Sequence, residues 1–349
     1  MKRLILLLLA FLGVGGLSLT MGLRALKAWS EVPREVPREV IVHFPKGTHL
    51  QDLADVLARE GAVTSAARFR WWVRLSGQYA RFQAGNYRFG PGSVTPAKIA
   101  NAMVTGDAYV PVVLQVTIPE GFNIRQIAAR LAAHGLGSPR SILQLMQDRE
   151  FLTSLKVNAG SLEGYLYPAT YNYTTMPQAK TVLTDMVTTF WNRLPASYLD
   201  DLKAVGLTLH QAVTFASLIE LETTHDDEKV KIAEVIWRRL KAKDNIAIDA
   251  ALIYGIKDYQ GDIKWTHLRD ATNPYNTRIH KGLPPGPIGS PASSSLDAVL
   301  KPTTNGYYFY VLDPEGLDRH HFSTSLSEHN RYVKLLLEAD KSKSAARKP

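Results

Sequence analysis

Cysteine is absent from all 349 residues. That excludes structural disulfides, thiolate zinc sites, iron–sulfur clusters and a cysteine nucleophile. It leaves the compartment open, because a chain without thiols is indifferent to redox poise. Other signatures are missing as well. There is no G-x-x-x-x-G-K-[ST] phosphate loop, no H-E-x-x-H helix, no G-x-S-x-G elbow and no EF-hand loop. His320, His321 and His329 fall close together. Adjacent histidines point different ways, however, and a metal site would need distant partners, so neither metal nor cofactor is expected. Acidic side chains are the minority, 32 against 41 basic ones, for a net charge of +9. An anionic partner fits this balance. The charge is spread along the chain without a basic-aromatic motif, so nucleic acid is not the expected partner.

The remaining composition, 45% hydrophobic and 21% charged, is that of a folded protein. The length suggests two or three units. Residues 4–23 carry no charge and are flanked by Lys2, Arg3, Arg24 and Lys27. Twenty helical residues span roughly the 30 Å hydrocarbon core, which favours a transmembrane helix over a cleaved signal peptide. Residues 1–3 are then a cytoplasmic tail, and the bulk of the chain is expected outside the cytoplasm. Residues 24–38 form a spacer in which Glu-Val-Pro-Arg occurs twice over 31–38. Proline every fourth residue blocks helix and sheet and favours an extended conformation.

A pattern then occurs twice. Phe44-Pro45-Lys46-Gly47 precedes Leu50, Leu53, Leu57 and Gly61, and Ile118-Pro119-Glu120-Gly121 precedes Ile124, Ile127, Leu131 and Gly135, each 74 positions on. Each copy reads as a strand end, a Pro-x-Gly turn and an amphipathic helix closed by glycine. Duplication and convergence on a common βα turn both account for it. Strands are expected at 40–42, 84–89, 112–116 and 307–312. Helices are expected at 95–103, 211–222, 228–241 and 326–339. Residues 273–292, rich in proline and glycine, form a long ordered loop, and 341–349 a frayed basic tail. Tyr165, Tyr167, Tyr171 and Tyr173 either pack strand cores or stack on ligand. Trp71 and Trp72 cannot share a face.

The chemistry centres on Phe215-Ala216-Ser217-Leu218-Ile219-Glu220-Leu221-Glu222. On a helix Glu222 shares a face with Phe215, Leu218 and Ile219, while Glu220 lies about 200° away. The two carboxylates cannot form a facing pair, and their environments should differ. A carboxyl on an apolar face loses solvation and its pKa rises. Such an acid can hand a proton to a leaving oxygen, as glycosidic cleavage requires. The competing reading is a structural glutamate paired with a base such as Arg239.

These residues resemble the endolytic murein transglycosylases, or YceG-like proteins, over nearly the whole chain. Ala216 to Glu222 resembles the A-S-[IL]-[IV]-E-K-E motif, Val235 to Leu240 resembles V-F-x-N-R-L, and Ile248 to Gly255 resembles L-Q-[ST]-D-P-T-V-x-Y-G. Tyr275-Asn276-Thr277, the run Gly282 to Ile288, and Glu328-His329-Asn330 match as they stand. Leu221 replaces the motif's lysine, Ala250 and Ala251 replace Pro-Thr, and Arg238 replaces asparagine. The resemblance implies an α+β chain: a single N-terminal transmembrane helix, a small LysM-like peptidoglycan-binding module over 39–108, and a mixed α+β catalytic domain over 109–340. It assigns catalysis to Glu222. It makes Ser217, Glu220, Arg239, Asp249, Tyr254, Tyr275, Asn276, Thr277, Leu283, Pro284, Pro285 and His329 candidates for holding substrate.

The implied reaction cleaves the β-1,4 bond between N-acetylmuramic acid and N-acetylglucosamine within a strand and leaves a 1,6-anhydro end. One carboxyl serves as acid and then base, so no second carboxylate at glycosidase spacing is required. The implied partners are peptidoglycan strands, the membrane through the N-terminal helix, and peptidoglycan synthases. The implied location is the inner membrane with the catalytic domain on the periplasmic side. Two alternatives remain open. One is a non-catalytic glycan-binding scaffold. The other is a hydrolytic muramidase in which Asp249 supplies the second carboxylate. Asp249 could equally be a helix cap.

Overall fold

The computed structural model describes residues 20–257, 259–315 and 318–346. It divides into two compact units, one up to Pro111 and one from Val112 onward. Most of the expected membrane span, 4–23, lies outside the described residues. Residues 20–30 are helical (α1). Among the described residues no single helix is long and apolar enough to cross a membrane.

The first unit continues with β1 (Arg34–Val36), β2 (Val40–Phe44), α2 (Leu50–Arg59), α3 (Ala66–Leu75), β3 (Gly85–Phe89), β4 (Gly92–Val94) and α4 (Pro96–Thr105). β1 pairs antiparallel with β4, and β2 with β3. The spacer is therefore not free of sheet. Three residues between Pro33 and Pro37 suffice for a short ladder, because none of them lacks an N–H. Strand β2 alternates, with Val40, Val42 and Phe44 buried and Ile41 and His43 outward. Its inner face covers Leu50, Leu53 and Leu57 of α2 together with Phe69, Ile99 and Met103. Helix α4 is delimited locally: Thr95 caps it by accepting from the Lys98 N–H, Pro96 opens it, and Gly106 closes it in the left-handed region. Trp71 is 58% exposed, while Trp72 packs on the core.

The second unit comprises β5 (Leu114–Thr117), α5 (Ile124–Ala133), α6 (Pro139–Leu145), α7 (Arg149–Ser154), β6 (Thr170–Tyr173), α8 (Ala179–Arg193), α9 (Tyr198–Ala204), α10 (Leu209–Glu222), α11 (Asp226–Lys241), α12 (Asp249–Gly255), α13 (Trp265–Leu268), α14 (Ser293–Leu300), β7 (Phe309–Leu312), β8 (His320–Ser323) and α15 (Leu326–Ala346). β5 pairs with β6 and β7 with β8, both antiparallel. The basic tail expected to fray continues α15 as far as Ala346. Tyr165 and Tyr171 are buried, Tyr167 shares a hydrogen bond with the Ser293 hydroxyl at 2.8 Å and Tyr173 donates to Asp185 at 3.0 Å, so all four tyrosines are held within the fold.

Both copies of the repeated pattern are a strand, a turn and a helix. Gly47 and Gly121 take φ of 91° and 74°, and Gly61 and Gly135 take 80° and 79°. Glycine at these positions follows from the left-handed backbone that each turn and helix end requires.

Helix α10 is the centre of the second unit. Thr208 and Gln211 form a capping box at its start. Every residue from Ala212 to Glu220 is buried, as expected of a helix apolar on all sides. The proline-rich loop runs alongside it. The Pro285 carbonyl lies 3.4 Å from His210 Nε2, the Ile288 N–H donates to Ser217 Oγ at 3.1 Å, and the Ala292 N–H donates to Glu220 at 2.8 Å. The loop is also stitched to the second Pro-x-Gly turn, with Gly121 N–H donating to the Ser290 carbonyl and Ser290 N–H to the Phe122 carbonyl, both at 2.9 Å.

Gly289 lies against this seam, where an added Cβ would collide with the Gly121 carbonyl oxygen. We expect Gly289→Ala to lower stability by about 1–3 kcal/mol, the usual cost of overpacking that backbone must absorb. A thermal melt checks this; an unchanged transition would show that the seam yields freely.

Candidate active site

Glu220 and Glu222 sit two residues apart in entirely different surroundings. Glu220 faces inward. Its carboxylate receives Lys229 Nζ at 3.2 Å, the Ser295 hydroxyl at 2.7 Å and the Ala292 N–H at 2.8 Å. Both Glu220 and Lys229 are almost fully buried. Glu220 was expected among the substrate contacts; instead it ties α10 to α11 and α14.

Glu222 is the last residue of α10, and one edge of it reaches solvent. Its carboxylate accepts a hydrogen bond from the Tyr310 hydroxyl at 2.9 Å. Burial raises its pKa above the ordinary carboxylate value. The Tyr310 hydrogen bond, His320 and Arg278 oppose that rise, and Asp249 adds to it. The pairing with Arg239 does not occur. That guanidinium is spent on the carbonyls of Tyr308 (3.0 Å) and Ile246 (2.6 Å).

Tyr310 is held over Glu222 by a second buried carboxylate. Glu228, in the first turn of α11, accepts from the Thr223 hydroxyl at 2.9 Å and from the His320 N–H at 2.9 Å, and its Oε2 lies 2.9 Å from His320 Nδ1. Thr223 follows Glu222 in the chain. His320 meets the Tyr310 ring edge-on at 5.3 Å. One carboxylate thus fixes both the end of α10 and the β7–β8 hairpin. These hydrogen bonds hold Glu228 below the ordinary carboxylate range despite its burial.

Asp249 opens α12 as its first helical residue, with Ile248 as the cap. Arg278 grips one Asp249 oxygen through Nε at 2.8 Å and Nη2 at 2.6 Å. Tyr254 and Tyr275 lean together with ring centres 4.9 Å apart and line one hollow of about 680 Å³. A smaller hollow of about 270 Å³ shares Asn123 and Tyr254 with it and reaches Leu221 and Ala250, the neighbours of Glu222 and Asp249. Glu163 lies behind this wall. It accepts the Tyr254 hydroxyl at 2.8 Å and the Ile124 N–H at 3.2 Å, and burial raises its pKa to about 7.

Several other expected contacts lie inside the fold. Ser217 is fully buried and braces the Ile288 N–H. Asn276 donates to the carbonyls of His267, Leu268 and Asp270. Thr277 accepts from the Ile248 N–H at 2.9 Å. Each has its polar groups satisfied by the backbone, which leaves none of them for a sugar. Leu283, Pro284 and Pro285 line a separate hollow of about 470 Å³ with His210. They sit towards the start of α10, whose two ends are roughly 20 Å apart at 1.5 Å per residue. His329 stacks on Phe309 at 5.2 Å, and burial lowers its pKa. Tyr254 and Tyr275 thus share one hollow, Asp249 is close enough to raise the Glu222 pKa, and Leu283, Pro284 and Pro285 line a hollow of their own. Tyr310, Glu228, His320, Arg278 and Glu163 join the site from segments in which no spacing rule singles them out.

The fold defines a class shared with known proteins. The YceG-like family model matches residues 42–335. The chain belongs to the YceG-like family. An endolytic murein transglycosylase of Bacillus subtilis is 28% identical over 86% of this chain and 85% of its own length. One from Streptococcus pneumoniae is 26% identical over 84% of this chain and 58% of its own length. A crystal structure of a YceG-like protein from Listeria monocytogenes superposes with a TM-score of 0.57 at 29% identity, covering 84% of this chain and 99% of that one.

Two outcomes are expected. Tyr310→Phe removes the hydrogen bond that favours the Glu222 carboxylate, so a carbon-detected NMR titration should place Glu222 higher still. Glu228→Gln should reproduce this rise by loosening the hairpin, and the double variant should add nothing further; an additive pair would separate the two residues. Glu163 titrates near 7 folded against an ordinary 4.5. A raised carboxyl stabilises the fold below its unfolded pKa and loses that contribution as pH climbs through the folded one. Stability should therefore fall by about 3 kcal/mol between pH 4.5 and 8 on this account. Melts of Glu163→Gln across that range should show a clearly flatter decline.

Proposed function

We propose that the chain is a membrane-anchored endolytic murein transglycosylase whose single acid-base residue is Glu222. The observation that carries this is the Glu222 carboxyl itself, raised by burial and held by one tyrosine hydroxyl, with the adjacent Leu221 lining a hollow of about 270 Å³. The names of its relatives support the same substrate.

The proposed chemistry is the one that the family resemblance implies. Protonated Glu222 delivers its proton to the glycosidic oxygen as the C1–O bond breaks. The sugar's positive charge is met by its own acetamido group, and the new carboxylate keeps the Tyr310 hydrogen bond. That carboxylate then takes the proton of the C6 hydroxyl as O6 closes on C1. Glu222 regains its proton, no water is consumed, and the product bears a 1,6-anhydro ring. One residue serves both steps. A hydrolytic route would use Asp249 to activate water; Arg278 holds one of its two oxygens, and the mass of the product separates the two routes. Tyr254 and Tyr275 offer ring faces to sugars along the groove.

The first unit is read as a LysM-like peptidoglycan-binding module, with exposed Trp71 as a stacking surface for glycan. Residues 4–23 are read as the anchor. The catalytic unit then works on nascent strands on the periplasmic side of the inner membrane, beside the synthases whose elongation its cleavage ends.

Glu222→Gln should abolish release of anhydro-ended fragments from purified sacculi, retain glycan binding and melt no lower than the parent. Glu220→Gln should behave oppositely. It breaks a buried ion pair and should lose about 3–5 kcal/mol of stability. Full activity of Glu222→Gln, or a product heavier by one water, would end this reading.

A further inference from the structure

The larger hollow beside Tyr254 differs in charge from the smaller one next to Glu222. The smaller is lined by Glu120. The larger is lined by Arg125 and Lys257, and none of its described lining residues is acidic. Arg125 lies in the first turn of α5 with its guanidinium 5.2 Å from the centre of the Tyr254 ring. It has no carboxylate within ion-pair distance among the described residues. The nearby Glu163 carboxylate is committed to Tyr254 and Ile124. A planar guanidinium held against an aromatic face is preorganised to receive a carboxylate through two parallel hydrogen bonds.

We propose that this hollow is a subsite for the carboxylates of the peptides borne by the glycan, with Arg125 as the residue that takes them. This rests on the transglycosylase reading for its substrate. The sugars of peptidoglycan are neutral, and on an uncrosslinked strand the carboxylates belong to the peptide attached to each N-acetylmuramic acid. The sequence of charges along the groove fits that layout. A sugar passes the acidic small hollow next to Glu222, while a carboxylate is repelled there and attracted one step further on. The enzyme therefore reads the peptide as well as the sugar and prefers strands whose peptides are intact and ionised.

The test uses soluble uncrosslinked strands in two forms, one native and one with the peptide carboxylates converted to amides. The full chain should cleave the native form about tenfold more efficiently in kcat/KM, through KM. Arg125→Ala should cleave both forms at the amidated rate, and Arg125→Lys should keep part of the preference. Arg140→Ala, which removes an exposed arginine from α6, should leave the preference intact. No preference in the parent, a preference that survives Arg125→Ala, or an equal loss in Arg140→Ala would each overturn the subsite. Binding of the two forms by Glu222→Gln, followed by fluorescence anisotropy, separates the two claims. If the parent cleaves neither strand while the native form is still held through Arg125, the transglycosylase reading falls and the subsite stands.

Discussion

The second unit is organised around a buried ion pair, Glu220 with Lys229. Glu220 cannot lose Lys229 without stranding a charge in the core, a penalty of several kcal/mol. The pair therefore fixes the relation of α10 to α11. The remaining lone pairs of Glu220 capture the Ala292 N–H and the Ser295 hydroxyl, which adds the start of α14 and the end of the proline-rich loop. Once that arrangement is set, the residue two positions further along α10 has only one direction available. The 200° rotation that removes Glu220 from the surface is the same rotation that turns Glu222 towards the hairpin.

Two buried carboxylates brace the surroundings of Glu222 and Tyr254. Glu228 gathers the end of α10 and strand β8, so that Tyr310 arrives over Glu222 already oriented. Glu163 fastens Tyr254 to the start of α5 and shapes the groove wall. In both cases backbone N–H and hydroxyl donors face a buried acid, an arrangement that holds position in a low-dielectric setting. The surroundings of Glu222 and Tyr254 thus draw on groups from α5, the loop before β6, α11, α12 and both strands of the hairpin.

Much of this was legible in the sequence. The repeated Pro-x-Gly turn, the strand and helix that flank each copy, the helix over 211–222 and the opposite placement of its two glutamates all follow from local spacing. Periodicity reports which face a residue takes, and glycine reports where the backbone turns. What spacing does not report is how deep a residue will lie. Ser217, Asn276 and Thr277 belong to the matching motifs, yet their short polar side chains are consumed by backbone groups of three different segments. The roles of Tyr310 and Glu228, and of His320 beyond a weighed metal ligand, were hidden for the complementary reason. These residues meet only because the hairpin, nearly ninety residues downstream of Glu222, returns to the end of α10. Strand β1 was missed because proline was read as a barrier to sheet along the whole spacer, whereas the three residues between Pro33 and Pro37 are free to pair.

The seam between α10 and the loop beside it has an evolutionary corollary. His210, Ser217 and Glu220 each grip a different point on the loop, and Glu222 meets the hairpin beyond them. Inserting one residue in the middle of α10 would advance its end by 1.5 Å and rotate it by about 100°. The grips before the insertion would remain and those after it would be lost, with the acid swung away from its tyrosine. Replacing side chains in this helix is a local matter; changing its residue count is not. In this fold the helix acts as a measuring rod, and its length should drift far less among descendants than its composition.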